Sequence, residues 1–192
     1  AEALTDSSYD GVYLNITPSA ENGDALAAFV QALRAAVPEK KLYVAASAPA
    51  RREAIPDYQA LGKAADRIVL QVSEHEDTDG AVPVYAMEPL ETVYYALSAL
   101  NDQIPGEKLA LLLTAEGHGR KDTGKPTAFS GDTVAALEAQ GRTYYSDRYA
   151  CAYLTSDAED ARVVWFLDET SLAERTQLAK LFGVSQLCLS DM

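Results

Sequence analysis

The chain has 192 residues, of which 48% are hydrophobic, and its 29 acidic against 16 basic residues give a formal net charge of −13. That length suffices for one domain with a sizeable core, expected over residues 1–192 without a linker, while the charge opposes binding to nucleic acid phosphates or anionic membranes. No apolar run approaches the ~20 residues of a membrane-spanning helix.

Strand-like and helix-like segments alternate, the pattern of an α/β protein with a parallel sheet. Gly11–Ile16 is apolar and bounded by Asp10 and Thr17-Pro18-Ser19, and reads as a buried strand. Glu21–Val37 follows as a helix, since Ala25, Leu26, Phe29, Val30, Leu33 and Val37 recur at three- and four-residue steps before Pro38. Leu42–Ala46 is a second strand, Arg52–Ala65 a helix broken near Pro56, and Arg67–Val72 a third strand. After a polar loop, Pro89–Leu100 is helical and Lys108–Thr114, nearly continuous leucine, is the fourth strand. Gly117–Pro126 has four Gly or Pro and four charges, which predicts a long exposed loop. Thr133–Gln140 is helical. Ala150–Leu154 and Arg162–Leu167 suggest an antiparallel pair turning at Ser156–Asp160, and Ser171–Phe182 a last helix stopped by Gly183. Gln186–Leu189 is the fifth core strand.

The first strand, Asp10-Gly11-Val12-Tyr13-Leu14-Asn15-Ile16-Thr17, resembles the active-site strand of the family 18 glycoside hydrolases, chitinases and their relatives, which reads Asp-Gly-x-Asp-x-Asp-x-Glu. Asp10 and Gly11 match. Tyr13 and Asn15 stand where the family has aspartates, and Thr17 where it has the proton-donating glutamate. Three later pieces carry the likeness onward: Ala65–Leu70 is similar to the entry into the sixth barrel strand, Leu90–Leu112 to the next helix, turn and strand, and Val163–Asp168 with Ser171 and Leu178-Ala179 to the Trp-Phe-(Glu)-Asp stretch and final helix. The likeness extends to the bacterial spore-germination and cell-wall branch of that family, which acts on peptidoglycan. The resemblance implies a partial (β/α)8 TIM barrel, strands four to eight, with a small antiparallel insertion before the last helix. The chain begins without Met, so it is expected to be a piece of a longer protein; the resemblance places that protein outside the cell or in its envelope.

Family 18 hydrolysis is substrate-assisted, with a glutamic acid protonating the leaving oxygen and an aspartate orienting the substrate's acetamido group. Thr17 cannot usefully donate a proton near neutral pH, and Asn15 carries no charge. The family's Met-x-Tyr-Asp is also missing, with Gln71, Val72, Ser73 and Glu74 after Leu70, and its floor tryptophan is replaced near Leu189-Ser190. The degenerate motif at Asp10, Tyr13, Asn15 and Thr17 therefore implies a domain without the ancestral activity. It would serve as a glycan- or peptidoglycan-binding or structural module.

Barrel active sites lie at the C-terminal ends of the strands. That rim nominates Asn15, Gln71, Glu74, His75, Glu116, His118 and Asp191 for ligand binding, beside Ser47, Ser73 and Ser190. Both histidines have a glutamate near them, so Glu74 and Glu116 could replace the lost acid in a surviving glycan hydrolase. A groove given over to protein partners is a third reading. No cofactor or metal is expected: the Glu74, Glu76, Asp77, Asp79 cluster lacks EF-hand spacing and reads as a solvated loop, and Cys151 and Cys188 lack a Cys-x-x-Cys neighbour. Tyr94-Tyr95 and Tyr144-Tyr145 could offer sugar-stacking surface, although adjacent tyrosines usually place one ring in the core. The apolar first and last strands, as sheet edges without Lys or Pro, suggest a homo-oligomer or cover from further parts of a longer chain.

Overall fold

Apolar runs separated by helices assemble into a sheet in the computed structural model, which describes residues 8–16, 23–47, 57–72, 74–77, 79, 83–120, 126–156 and 163–190. Its five strands are β1 (Gly11–Leu14), β2 (Lys41–Ser47), β3 (Arg67–Gln71), β6 (Leu109–Thr114) and β12 (Gln186–Ser190), in the order β1-β2-β3-β6-β12. Pairing is parallel between β1 and β2 and between β2 and β3, with Val12 opposite Leu42 and Val44 opposite Ile68. Between them lie α1 (Gly23–Ala36), α2 (Tyr58–Ala64), α3 (Leu90–Asn101) and α5 (Glu169–Leu181). The expected strand order is thus the observed one. The bends at Pro56 and the turn at 157–160 fall outside the described residues.

The chain divides into two compact units. The first comprises Ala1–Gln71, Ala96–Leu111 and Ala179–Gln186. Its core is the continuous apolar run of each strand, with Leu42, Val44, Ile68, Leu70, Leu109 and Leu111 buried, as strands covered on both faces require. Two cations finish α2: Lys108 Nζ donates to the carbonyls of Gly62 (2.5 Å) and Ala65 (3.2 Å), and Arg34 Nε to that of Ala64 (3.0 Å). Arg34 also donates to Asp66 Oδ2, which accepts Leu42 N–H at 2.8 Å. Partial burial works to raise the Asp66 pKa, but these hydrogen bonds and the Arg34 charge outweigh it and leave the carboxyl below its ordinary value. Gly183 adopts φ +73° and ends α5 as expected.

The second unit comprises Val72–Tyr95, Leu112–Leu178 and Leu187–Met192, and here two expectations fail. The polar loop after β3 contains an antiparallel pair, β4 (His75–Asp77) with β5 (Val84–Ala86). The long loop expected from Gly117 instead starts and ends in strands, β7 (Gly117–Arg120) and β8 (Pro126–Phe129). Glycine there answers a packing demand: a Cβ on Gly117 would lie 2.6 Å from Val134 Cγ2 and 2.8 Å from Val164 Cγ1. With β9 (Arg142–Ser146), β10 (Cys151–Thr155) and β11 (Val163–Phe166) these form an antiparallel sheet of five strands, ordered β8-β7-β11-β10-β9. The expected pair is present as β10 and β11, inside a larger insertion than foreseen. Period-two alternation sorts its residues. Ala152, Leu154, Val164 and Phe166 pack with Val134 of α4 (Gly131–Glu138), while Cys151, Trp165 and Tyr149 pack with Tyr85, Ala86 and Met87.

Candidate functional site

In the first unit, the ends of β1 and β3 bring three nominated side chains together. Gln71 Nε2 donates to Tyr13 Oη and to Asn15 Oδ1, each at 3.3 Å. Tyr13 and Asn15 are exposed. The patch offers amide and phenol hydrogen-bond groups and no carboxylate. Asp10 lies just before β1, where its carbonyl accepts Lys41 N–H at 2.9 Å. Thr17, Ser73 and Asp191 fall outside the described residues.

In the second unit, β7 carries His118 between two carboxylates. Its Nδ1 bonds Glu74 Oε2, and its Nε2 lies 3.8 Å from Glu116 Oε2. The three side chains are 23%, 32% and 30% exposed, so the group is accessible without being fully solvated. The imidazole can exchange a proton with Glu74 through that hydrogen bond, while Glu116 lies beyond hydrogen-bond distance of Nε2. Among the described residues, no group of three His, Cys, Asp or Glu has an arrangement that could hold a metal ion. His75 does not join this cluster: its ring stacks on Tyr149, with centroids 5.1 Å apart.

Two buried residues of this unit escaped sequence reading. Arg175, on α5, is fully buried and donates to five main-chain carbonyls: Glu88 (2.8 Å), Ala150 (2.5 Å), Ser171 (3.0 Å), Met87 (3.0 Å) and Tyr149 (3.4 Å). Five acceptors match the five N–H donors of a guanidinium. They include the carbonyls of Glu88 and Ala150, whose φ values of +34° and +50° lie in the sterically costly left-handed region. The Glu88 side chain, only 6% exposed, accepts the Thr114 backbone N–H at the end of β6, and its Oε2 has no partner among the described residues. Burial pushes this carboxyl up to about 7, against the opposing pull of Arg175 and the Thr114 N–H and with further help from the Glu74 charge. A visible signal did exist for Arg175. It lies four residues after Ser171 and four before Ala179, and the three form the buried stripe of α5.

The remaining nominated groups are placed as follows. Cys151 is buried and Cys188 half-buried, both as free thiols, and burial raises the Cys151 thiol to about 11, which makes it inert. Tyr94 and Tyr95 are both about half exposed, against the expectation of one core ring. Tyr144 and Tyr145 divide as expected: Tyr144 is 43% exposed, while Tyr145 packs on the core and donates to Glu174 at 2.7 Å.

No family model matches the sequence, and no curated protein matches it either. Solved structures do. A chitinase from Chromobacterium violaceum superposes with a TM-score of 0.80 at 19% identity, over 98% of this chain and 63% of its own. The spore cortex-lytic enzyme SleL of Bacillus cereus matches with a TM-score of 0.75 at 18% identity, over 94% of this chain and 45% of its own. A class V chitinase of Nicotiana tobaccum, solved as a mutant in complex with NAG4, gives 0.72 at 14% identity over 94% and 63%. The chain therefore spans less than two thirds of each of these proteins, and what it has in common with them is the chitinase-type fold, a partial (β/α)8 barrel with an antiparallel insertion.

Proposed function

We propose that this chain is a glycan-binding domain on a chitinase-type scaffold, that it takes N-acetylhexosamine-containing glycans such as peptidoglycan or chitin, and that it does not hydrolyse them. It acts outside the cell or in the envelope, as part of a longer chain or as a homo-oligomer. The observation that carries this reading is the patch of Tyr13, Asn15 and Gln71 at the strand ends. These groups can hydrogen-bond sugar hydroxyls and acetamido groups but include no carboxyl to serve as the proton donor. The fold neighbours support the ligand class, one of them being described with NAG4. The test pairs two measurements on the same preparation: binding of N-acetylglucosamine oligomers by calorimetry, and release of a chromophore from their aryl glycosides. Saturable binding without turnover is expected; absence of binding refutes the reading.

The Glu74–His118–Glu116 arrangement favours one alternative, a hydrolase with replacement rim carboxylates. Turnover that disappears in Glu74→Gln or Glu116→Gln would establish it in place of the first.

A further inference from the structure

One row of the insertion sheet is aromatic from strand to strand. The register sets Tyr144 of β9 opposite Tyr153 of β10, Tyr153 opposite Trp165 of β11, and Trp165 opposite His118 of β7. Residues directly opposite in antiparallel strands share a face and touch. The rings form a ladder: Tyr144 on Tyr153 at 5.3 Å and 20°, then Tyr153 on Trp165 at 4.7 Å and 28°. Trp165 is held by its indole N–H, which donates to Pro83 O at 3.0 Å, and by an edge contact from Tyr149 at 5.8 Å. The ladder is thus anchored at its buried end.

The outer end is open. Among the described residues β9 is the last strand of the sheet and no further strand pairs with it, and Tyr144 is 43% exposed. Beside it lies a cleft of about 470 Å³ lined by Val84, Tyr144, Tyr145, Ser146, Tyr153, Thr155 and Trp165. That volume falls within the usual range for small-ligand sites. None of its lining residues is charged; its side-chain polar groups are hydroxyls and the Trp165 indole N–H, which is already engaged by Pro83 O. Flat aromatic rings with neutral hydroxyls suit an uncharged ring that has apolar C–H faces and an equatorial belt of polar groups. A pyranose has that shape, and a phosphate, a cation or an acidic peptide does not.

We propose that the Tyr144 end of this ladder is a sugar subsite, separate from the Tyr13–Asn15–Gln71 patch, in which a neutral N-acetylhexosamine ring stacks on Tyr144 and bonds Ser146 and Thr155. The proposal rests on the glycan reading for its ligand class, and on the ladder and cleft for its place. The same row ends at His118, so the subsite and the imidazole cluster lie on one face of the sheet. Three strand spacings separate them, about 14 Å.

The probe is tetra-N-acetylchitotetraose, titrated into the chain and into Tyr144→Ala and Tyr144→Phe by calorimetry, with the emission of Trp165, the only tryptophan, followed in parallel. Circular dichroism verifies that both variants are folded. Expected are a saturable change in Trp165 emission, affinity weakened roughly tenfold in Tyr144→Ala, the scale of one lost aromatic stack, and affinity within about twofold of the parent in Tyr144→Phe, which keeps the ring. Equal affinity in the parent and Tyr144→Ala would overturn the subsite while leaving the glycan reading intact. Equal loss in both variants would also overturn it, since a stack does not need the hydroxyl. No saturable binding at millimolar oligosaccharide would overturn the subsite and the glycan reading together.

Discussion

Replacing Glu88 by Gln should make the protein more stable at pH 8 and leave it nearly unchanged at pH 4. Glu88 is 6% exposed, with one carboxyl oxygen unpartnered among the described residues, and burial moves it from 4.5 to about 7. Below pH 4.5 both the folded and unfolded chains hold the proton, and the group makes no difference. Between 4.5 and 7 the unfolded chain has released it while the folded chain retains it, so stability falls as pH rises through this window. Above about 7 the loss is complete, and at 1.36 kcal/mol per pH unit it amounts to about 3 kcal/mol. Glutamine keeps the neutral form at every pH and can still accept the Thr114 N–H. The assay is urea unfolding followed by Trp165 fluorescence at pH 5, 6, 7 and 8. With a slope of roughly 2 kcal/mol/M, the midpoint of Glu88→Gln should exceed that of the parent by about 1.5 M at pH 8, and the gap should close toward pH 5. A gap that is absent at pH 8, or the same at pH 5 and pH 8, would show that the Glu88 carboxyl ionises like an exposed one.

Arg175→Met should cost about 3–5 kcal/mol, because five buried carbonyls lose a charged donor, and calorimetry should show melting lowered by about 10 °C; a drop within 2 °C refutes the bracing role. No release of chromophore above a buffer blank is expected from N-acetylglucosamine oligomer glycosides, and glutamate-dependent turnover would contradict this. Leu187 and Leu189 of the outermost strand β12 are 40% and 47% exposed, so light scattering of this chain at low micromolar concentration should give the mass of a dimer or larger; a monomer counts against self-association.

The parallel strands were legible because burial on both faces forces an unbroken apolar run, as in Leu109–Leu113, and helices of clear periodicity separate the runs. The insertion was obscure for the opposite reason. His75–Asp77 and Arg142–Ser146 are strands made by pairing, with polar or exposed side chains and no hydrophobic alternation to announce them. Gly117 and Gly119 carry the usual mark of a loop, yet each is selected by a close approach, of the Val134 and Val164 side chains at Gly117 and of the Val163 carbonyl at Gly119. In the candidate site, Glu74, Glu116 and His118 could be nominated from their place after strands. Their meeting could not, since it depends on β7 being a strand. Glu88 has no local signature, because its altered acidity comes from what surrounds it in space: burial, Arg175, Thr114 and Glu74.

The guanidinium of Arg175 also sets a timetable. Its acceptors at Met87, Glu88, Tyr149 and Ala150 leave the ribosome well before it does. Until α5 is made, these carbonyls lack the guanidinium that collects them, and the strained turns at Glu88 and Ala150 lack that brace. The second unit therefore closes late in synthesis. A nascent chain halted before α5 would expose Tyr85, Met87 and Trp165 to chaperones and proteases, while the pairings of β1 with β2 and of β2 with β3, which do not involve α5, could form ahead of it.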